Sequence, residues 1–170
     1  MTSLASKERI LVVGNGMVGH HFVEQLHQAN ENAQITVLCG ESRLAYDRVH
    51  LSSYFSGASA EDLALTDAAT YTEWGVNFVT NAMVTDILRD EKKVLTSEGQ
   101  AYAYDKLILA TGSYPFVPPI PGNNQPHCLV YRTIDDLEAI EASARESKTG
   151  VVVGGGLLGL EAANALKEAG

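Results

Sequence analysis

Cysteine is scarce in this chain. Cys39 and Cys128 are its two cysteines, far apart, and neither belongs to a C-x-x-C pair or a cluster with histidine, which leaves no recognisable metal centre or redox disulfide. Cys39 closes an apolar run and reads as a small buried thiol. Positive charge is sparse too: 12 Lys and Arg against 21 Asp and Glu give a net charge of -9. The basic residues form no run, so the chain carries no electrostatic footprint for nucleic acid or an anionic membrane surface. No apolar stretch approaches the ~18 residues of a membrane span, and Met1 to Arg9 lacks the apolar core of a signal peptide. These absences predict a cytoplasmic protein with no nucleic-acid or membrane partner. No side chain stands out as a catalytic acid, base or nucleophile. His20, His21 and His27 fall on one predicted helix, where solvent-facing positions are the default.

What the chain has instead is one glycine pattern written twice. Gly14-Asn15-Gly16-Met17-Val18-Gly19 follows the apolar run Ile10-Leu11-Val12-Val13 and leads into Met17, Phe22, Leu26 and Ala29, whose spacing suits one helical face. The pattern predicts strand, tight turn and helix. Gly14 allows the turn, Gly16 lets a pyrophosphate approach backbone N–H groups at the positive helix end, and Gly19 lets helix and strand pack closely. Asn15, Met17 and Val18 complete the segment and are taken with it as cofactor-binding positions. A second run, Ile35-Thr36-Val37-Leu38, then delivers Gly40-Glu41. An acid at that strand end, roughly 20 residues past the glycines, is placed to accept hydrogen bonds from a ribose 2′-hydroxyl. Glu41 is the ribose candidate; the competing reading is a purely structural βα turn and a solvated loop acid.

The second copy, Gly154-Gly155-Gly156-Leu157-Leu158-Gly159, follows Val151-Val152-Val153 and precedes Leu157, Leu160, Ala163 and Leu166, again at helical spacing. Gly154, Gly156, Leu157, Leu158 and Gly159 are its cofactor-binding candidates, against the alternative of a glycine-rich hinge. No acid follows it at the ribose position, so NADH and NADPH are not distinguished. A chain that stops soon after a second such pattern predicts a fragment, one domain plus the start of another.

Between the two patterns, Ser42 to Ser59 has no clean period and reads as a long binding loop. Within it Arg48 either offers a guanidinium to a phosphate or pairs with Asp47 or another acid. A helix is expected over Ala60 to Trp74, ending at Gly75. Val76 to Val79, Met83 to Leu88, Val94 to Thr96 and Ala101 to Tyr104 read as a β-meander. Lys106 to Ala110 is the last core strand, and its small-residue turn, Thr111-Gly112-Ser113, lies where an open α/β sheet leaves room for a ligand. Pro115, Pro118-Pro119 and Pro121-Gly122 form an extended linker. A helix from Ile134 to Ser147, capped by Thr133 or Asp135, precedes the second pattern.

Gly14 to Gly19, Ala110-Thr111-Gly112, Tyr131-Arg132-Thr133 and Gly154 to Glu161 together resemble the FAD- and NAD(P)-dependent pyridine nucleotide oxidoreductases. Asn15 to His20, Ala45 to Phe55 and Ala110 to Pro115 are similar to the N-terminal region of NAD(P)H nitrite reductase large subunits. The resemblance implies an α/β, Rossmann-like three-layer fold with an inserted β-meander, plus the first strand and helix of a second nucleotide-binding domain. It implies an FAD-binding domain over 1–120, incomplete because its return segment lies outside these residues, a linker and helix over 121–149, and the start of a truncated NAD(P)-binding domain over 150–170. FAD would lie on the first pattern and NAD(P)H on the second. Glu41 would hold the ADP half, Arg48 would lie near the pyrophosphate, and Val84 would lie near the adenine. Ala110, Thr111 and Gly112 would pass close to the flavin nucleotide, and Glu161 would lie near where the two rings meet.

Related ferredoxin and rubredoxin reductases carry a lysine shortly after Tyr-Asp-Arg, where this chain has Val49-His50-Leu51-Ser52-Ser53. That departure favours the nitrite reductase branch over an electron-transfer flavoprotein of nitrate reductase or a rubredoxin/ferredoxin reductase, and the lack of a cysteine pair argues against a disulfide reductase. A nucleotide-binding module without redox chemistry is the non-enzyme alternative. The resemblance places sirohaem, an iron–sulfur centre and their C-terminal redox domains outside these residues, so the chain alone is expected not to reduce nitrite and to bind FAD weakly or not at all. The helix after Gly159 is expected to dock on the first domain, pair with another copy in a homo-oligomer, or stay disordered.

Overall fold

The computed structural model describes residues 7–30 and 32–168. They form two compact units, one of residues 7–30, 32–46 and 64–112, the other of residues 47–63 and 113–168.

The first unit is built on a parallel sheet of β1 (Arg9–Val13), β2 (Gln34–Leu38), β3 (Asn77–Val79) and β7 (Lys106–Leu109), in the order β3-β2-β1-β7. Every pair in it is parallel. Ile10 to Val13 are all buried, as a central strand covered on both faces must be. Alternate residues of β1 therefore serve different cores. Val12 joins Val23, Ile35, Val37, Tyr71 and Val76 on the side of the helices α1 (Met17–Ala29) and α2 (Ala68–Glu73). Leu11 joins Leu38, Ala82, Val94 and Tyr104 on the other side, with the antiparallel sheet of β4 (Val84–Leu88), β5 (Lys93–Thr96) and β6 (Ala101–Ala103). Helices, parallel sheet and antiparallel sheet make three layers, the α/β arrangement expected of the sequence.

Local structure departs from expectation in instructive places. The helix expected from Ala60 starts at Ala68, because Asp67 is extended and its carboxylate accepts from the Thr70 backbone N–H at 2.7 Å. Upstream, Ala64 forms a β-bridge with Tyr46, and the Leu65 N–H donates to the Ala45 carbonyl at 2.9 Å, so that stretch is committed to a long-range pairing. The strand near Val76 leaves the expected meander and pairs in parallel with β2, Thr36 opposite Asn77. On α1 the buried residues are Gly19 and Val23, with Phe22 and Leu26 packed against the same core, whereas Met17 and Ala29 are exposed. His20 is not solvent-facing; it is half-buried, and His27 stacks on Trp74 with ring centroids 5.3 Å apart.

The second unit contains a 3₁₀ turn at Leu51–Ser56, inside the segment expected to be loop, and the helices α3 (Ile134–Glu146) and α4 (Leu157–Glu168). Thr133 and Asp136 close a capping box on α3, as the sequence suggested for Thr133. Val151 to Val153 carry no strand ladder, and Val151 and Val153 are exposed; three valines favour a strand only where a neighbouring backbone completes the hydrogen bonds. α4 packs against the 3₁₀ turn, and Ser56 Oγ donates to Glu168 Oε2 at 2.8 Å. Its buried residue is Ala165, while Leu157 and Leu160 of the expected apolar face are exposed. Among the described residues no helix is long and apolar enough to cross a membrane.

Candidate functional site

From β1 the chain moves outward through β2 to β3, then returns to place β7 on the opposite side of β1. Ligands of open α/β sheets sit beyond the strand carboxyl ends at such a reversal. Here that position holds the Gly14-to-Gly19 turn after β1 and Ala110-Thr111-Gly112 after β7. The two are in direct contact. A Cβ on Gly14 would collide with the Ala110 carbonyl, and its φ of +100° is one that L side chains rarely adopt. The Ala110 N–H donates to the Val13 carbonyl and the Gly14 N–H to the Leu38 carbonyl, both at 2.8 Å. The turn is thus held from both neighbouring strands.

The second pattern repeats this geometry locally. A Cβ on Gly19 would run into the Gly14 carbonyl, and a Cβ on Gly159 would run into the Gly154 carbonyl. Gly154 has φ +137°, and the Leu160 N–H donates to the Gly156 carbonyl as the His20 N–H does to Gly16. Gly155 and Gly156 face open space. Leu157 and Leu158 are exposed at the start of α4, as Met17 and Val18 are at the start of α1.

Helix ends show how the first turn differs from those of α2 and α3. α2 and α3 are capped by their own side chains, Asp67 for one and Thr133 with Asp136 for the other. α1 has no side-chain cap hydrogen bond at Gly16, and neither α1 nor α4 has an acidic residue in its first turn. Backbone N–H groups at such an end lack internal acceptors and carry partial positive charge, a setting suited to phosphate oxygens. Asn15, between the first two glycines, is 4 % exposed. Its Oδ1 accepts from the Tyr71 hydroxyl at 2.8 Å, while its Nδ2 is buried without a partner among the described residues. A buried uncommitted donor beside uncapped N–H groups fits an acceptor-rich group such as a pyrophosphate.

Glu41 lies past β2, where the ribose candidate was expected. Tyr46, buried, donates from its hydroxyl to Glu41 Oε2 at 2.7 Å, and the Asn81 N–H donates to the Glu41 carbonyl at 3.0 Å. The acid is therefore fixed in position. Val84 packs into the core on the meander side and pairs with Thr96. Thr111 and Gly112 are exposed, and Gly112 has φ +69°.

In the second unit, Arg48 Nη1 donates to the Arg132 carbonyl at 3.2 Å, and Arg132 Nε donates to the Ser113 carbonyl at 3.2 Å. The Asp47 carboxylate accepts from the Val49 N–H at 2.8 Å and lies 2.6 Å from His50 Nδ1; the hydrogen bond with His50 holds its pKa below the ordinary value. Glu161 is exposed on α4.

Sequence reasoning missed Tyr71 and His20, which stand behind Asn15. The Tyr71 oxygen lies 2.9 Å from His20 Nδ1, and the His20 ring stacks over Trp74 with centroids 6.1 Å apart. His20 also lines an open cleft of about 430 Å³ with Glu24, Asp67, Thr70 and Trp74. The available signal was the aromatic run Tyr71, Trp74 and Phe78, which no local motif connects to the glycines.

This chain is 54% identical over 167 residues to the NADH nitrite reductase large subunit of Escherichia coli K12, covering 97% of itself and 20% of that protein. It is 50% identical to the NAD(P)H nitrite reductase large subunit of Klebsiella oxytoca, again over 97% of itself and 18% of that protein. The chain thus spans about a fifth of the length of these relatives. Among solved structures, a water-forming NADH oxidase from Lactobacillus brevis bound to NADH superposes with a TM-score of 0.87 at 26% identity, over 96% of this chain and 38% of that one. The family model of pyridine nucleotide-disulphide oxidoreductases matches residues 8–170, and with the paired glycine turns and the sheet reversal in place, the chain belongs to that family.

Proposed function

We propose that this chain is the cofactor-holding part of a flavoprotein oxidoreductase of the nitrite reductase type, with FAD on the Gly14-to-Gly19 turn and NAD(P)H on the Gly154-to-Gly159 turn. The observation that carries the reading is the contrast between helix ends: α2 and α3 are capped by their own side chains, whereas α1 has no side-chain cap and starts beside the buried, unpartnered Asn15 Nδ2. When bound, the two cofactors supply the redox chemistry, a hydride passing from nicotinamide to flavin. The residues of the chain bind and orient. Gly14, Gly16 and Gly19 give the pyrophosphate access to backbone N–H groups, with Asn15, Met17 and Val18 completing the turn. Glu41, fixed by Tyr46, accepts from the ribose. Ala110, Thr111 and Gly112 flank the flavin nucleotide, Val84 supports the adenine side, and Arg48 offers positive charge near the pyrophosphate. Gly154, Gly156, Leu157, Leu158 and Gly159 would form the nicotinamide dinucleotide turn, and Glu161 would lie near where the two rings meet. The same assignment divides the chain at about residues 120 and 150.

Reduction of nitrite to ammonium is proposed for the whole enzyme, with these residues supplying its electrons. Cys39 and Cys128 do not make up the thiolate set of an iron–sulfur cluster, and among the described residues no group of three or more His, Cys, Asp or Glu could hold a metal ion. The purified chain is expected to show no nitrite turnover.

The reading is tested by titrating FAD into the chain and following quenching of flavin fluorescence, with Gly16→Val alongside. Weak binding that is lost in the variant is expected. Undiminished binding by Gly16→Val, or none by the unaltered chain, would remove FAD from this turn.

A further inference from the structure

Asn15, Tyr71 and His20 form a chain of hydrogen bonds whose protons can be counted. Asn15 and Tyr71 are 4 % and 2 % exposed. Tyr71 has one hydroxyl proton and burial pushes its pKa up to about 12, so it remains a donor across the working pH range. If that proton goes to Asn15 Oδ1, 2.8 Å away, the Tyr71 oxygen can only accept from His20, 2.9 Å away, which requires a proton on His20 Nδ1. If instead His20 Nδ1 is bare, the Tyr71 proton turns to it. Tyr71 then accepts from Asn15 only when the amide is flipped. Two arrangements satisfy all three groups, and they differ in which end of Asn15 is left over: two N–H donors in one, a carbonyl oxygen in the other. Phosphate oxygens accept and do not donate, so only the first suits an anion at this turn.

We propose that His20 and Tyr71 are positioning residues for the dinucleotide site, a relay in which His20 protonated on Nδ1 holds Tyr71, and Tyr71 holds Asn15 with its amide N–H groups free for the cofactor's phosphates. The inference rests on FAD occupying the Gly14-to-Gly19 turn. Burial keeps His20 below its ordinary pKa, with Glu24 pulling upward and His21 downward. From the other elements Tyr71 and Trp74 pack on it, and Asp67 lines the same cleft. At neutral pH the relay therefore depends on a tautomer. Acidification places a proton on both ring nitrogens and selects the same arrangement.

Two measurements test the relay. The ¹⁵N chemical shifts of His20 in the full chain without cofactor should identify Nδ1 as the protonated nitrogen at neutral pH; the Nε2–H tautomer would overturn the proposal without reference to any ligand. In FAD titrations, Tyr71→Phe should weaken binding about tenfold, the loss of one oriented hydrogen bond to a charged group, and should have no further effect in an Asn15→Ala background. His20→Asn, which keeps a donor near the Nδ1 position, should bind better than His20→Ala, although both lose the stacking on Trp74. An equal loss from Tyr71→Phe in both backgrounds would reduce Tyr71 to a core residue and sink the relay. Absence of FAD binding in the unaltered chain, or binding untouched by Gly16→Val, would overturn the site assignment itself and with it the relay's ligand.

Discussion

The α-carbon of Gly19 faces the carbonyl of Gly14 with no room for a methyl group between them, and Ala110 Cβ closes the remaining side. This contact sets how near α1 comes to the end of β1. Gly19→Ala must therefore push the helix or distort the turn, since the obstacle is backbone. We expect a loss of about 1–3 kcal/mol in stability, typical of overpacking, together with weaker FAD binding. Gly40→Ala is the control: its Cβ would meet Met83 Cε at 2.7 Å, the far end of a flexible thioether that can move. Denaturant midpoints should rank Gly19→Ala well below Gly40→Ala; equal midpoints would show that the turn yields easily.

Asp105 and Arg9 join the end of the meander to the start of β1. Arg9 donates from its backbone N–H and from Nε to Asp105 Oδ2, at 2.8 and 3.2 Å, and from Nη2 to Oδ1 at 2.8 Å. These bonds, the side-chain ones first, hold the Asp105 pKa at about 2. A carboxylate depressed in the folded state stabilises above its unfolded pKa, ~3.9, and that stabilisation disappears as pH falls through the folded value. Asp105→Asn should lower the melting temperature at pH 7, with the gap to the unaltered chain closing between about pH 4 and 2. A gap that persists at pH 2 would assign the loss to geometry instead of charge.

The parts of the fold that the sequence disclosed are those whose signal is local. Ile10 to Val13 announce a strand buried on both faces because no polar residue interrupts them, and the glycine spacing announces the turn because each glycine answers a steric demand within the same few residues. The misreadings lie where a distant partner decides. Ala60 to Leu65 are compatible with a helix until Tyr46 bridges Ala64 and Asp67 starts the helix late. Val151 to Val153 look like a strand because β-branched residues favour one, yet nothing in the sequence specifies the ladder a strand requires. The relay behind Asn15 was invisible for the same reason: His20 and Tyr71 are separated by 51 residues, and only the packing of α2 on α1 brings them together.

Tyr46 donates to the Glu41 carboxylate, so the two should differ in how they affect the cofactor. Glu41→Gln removes the charged acceptor and should weaken ADP binding about tenfold or more, with little discrimination left between ADP and 2′-deoxy-ADP. Tyr46→Phe leaves the carboxylate present with one hydrogen bond fewer, and should cost less affinity while retaining that discrimination. Calorimetric titration of both nucleotides into the three proteins reads this out. A Glu41→Gln chain that still prefers ADP would place the ribose contact elsewhere.

Thr133 and Asp136 cap α3 reciprocally: the Asp136 N–H donates to Thr133 Oγ1 at 3.1 Å, and the Thr133 N–H donates to Asp136 Oδ2 at 2.8 Å. Asp136 Oδ2 also accepts from the Arg132 N–H at 3.1 Å, and the Arg132 carbonyl accepts from Arg48. The box thus fixes both the helix start and the segment to which Arg48 is attached. Thr133→Ala should cost about 1 kcal/mol, the usual loss for a removed N-cap. Asp136→Ala should cost more, because it strands two N–H groups instead of one. Since both bonds hold the same first turn of α3, which either loss alone can fray, the double variant should be less destabilised than the sum of the single ones by at least ~0.5 kcal/mol. Additive losses in denaturant unfolding would mean that the two hydrogen bonds act independently, and Arg132 would then be held mainly by its own contact with Ser113.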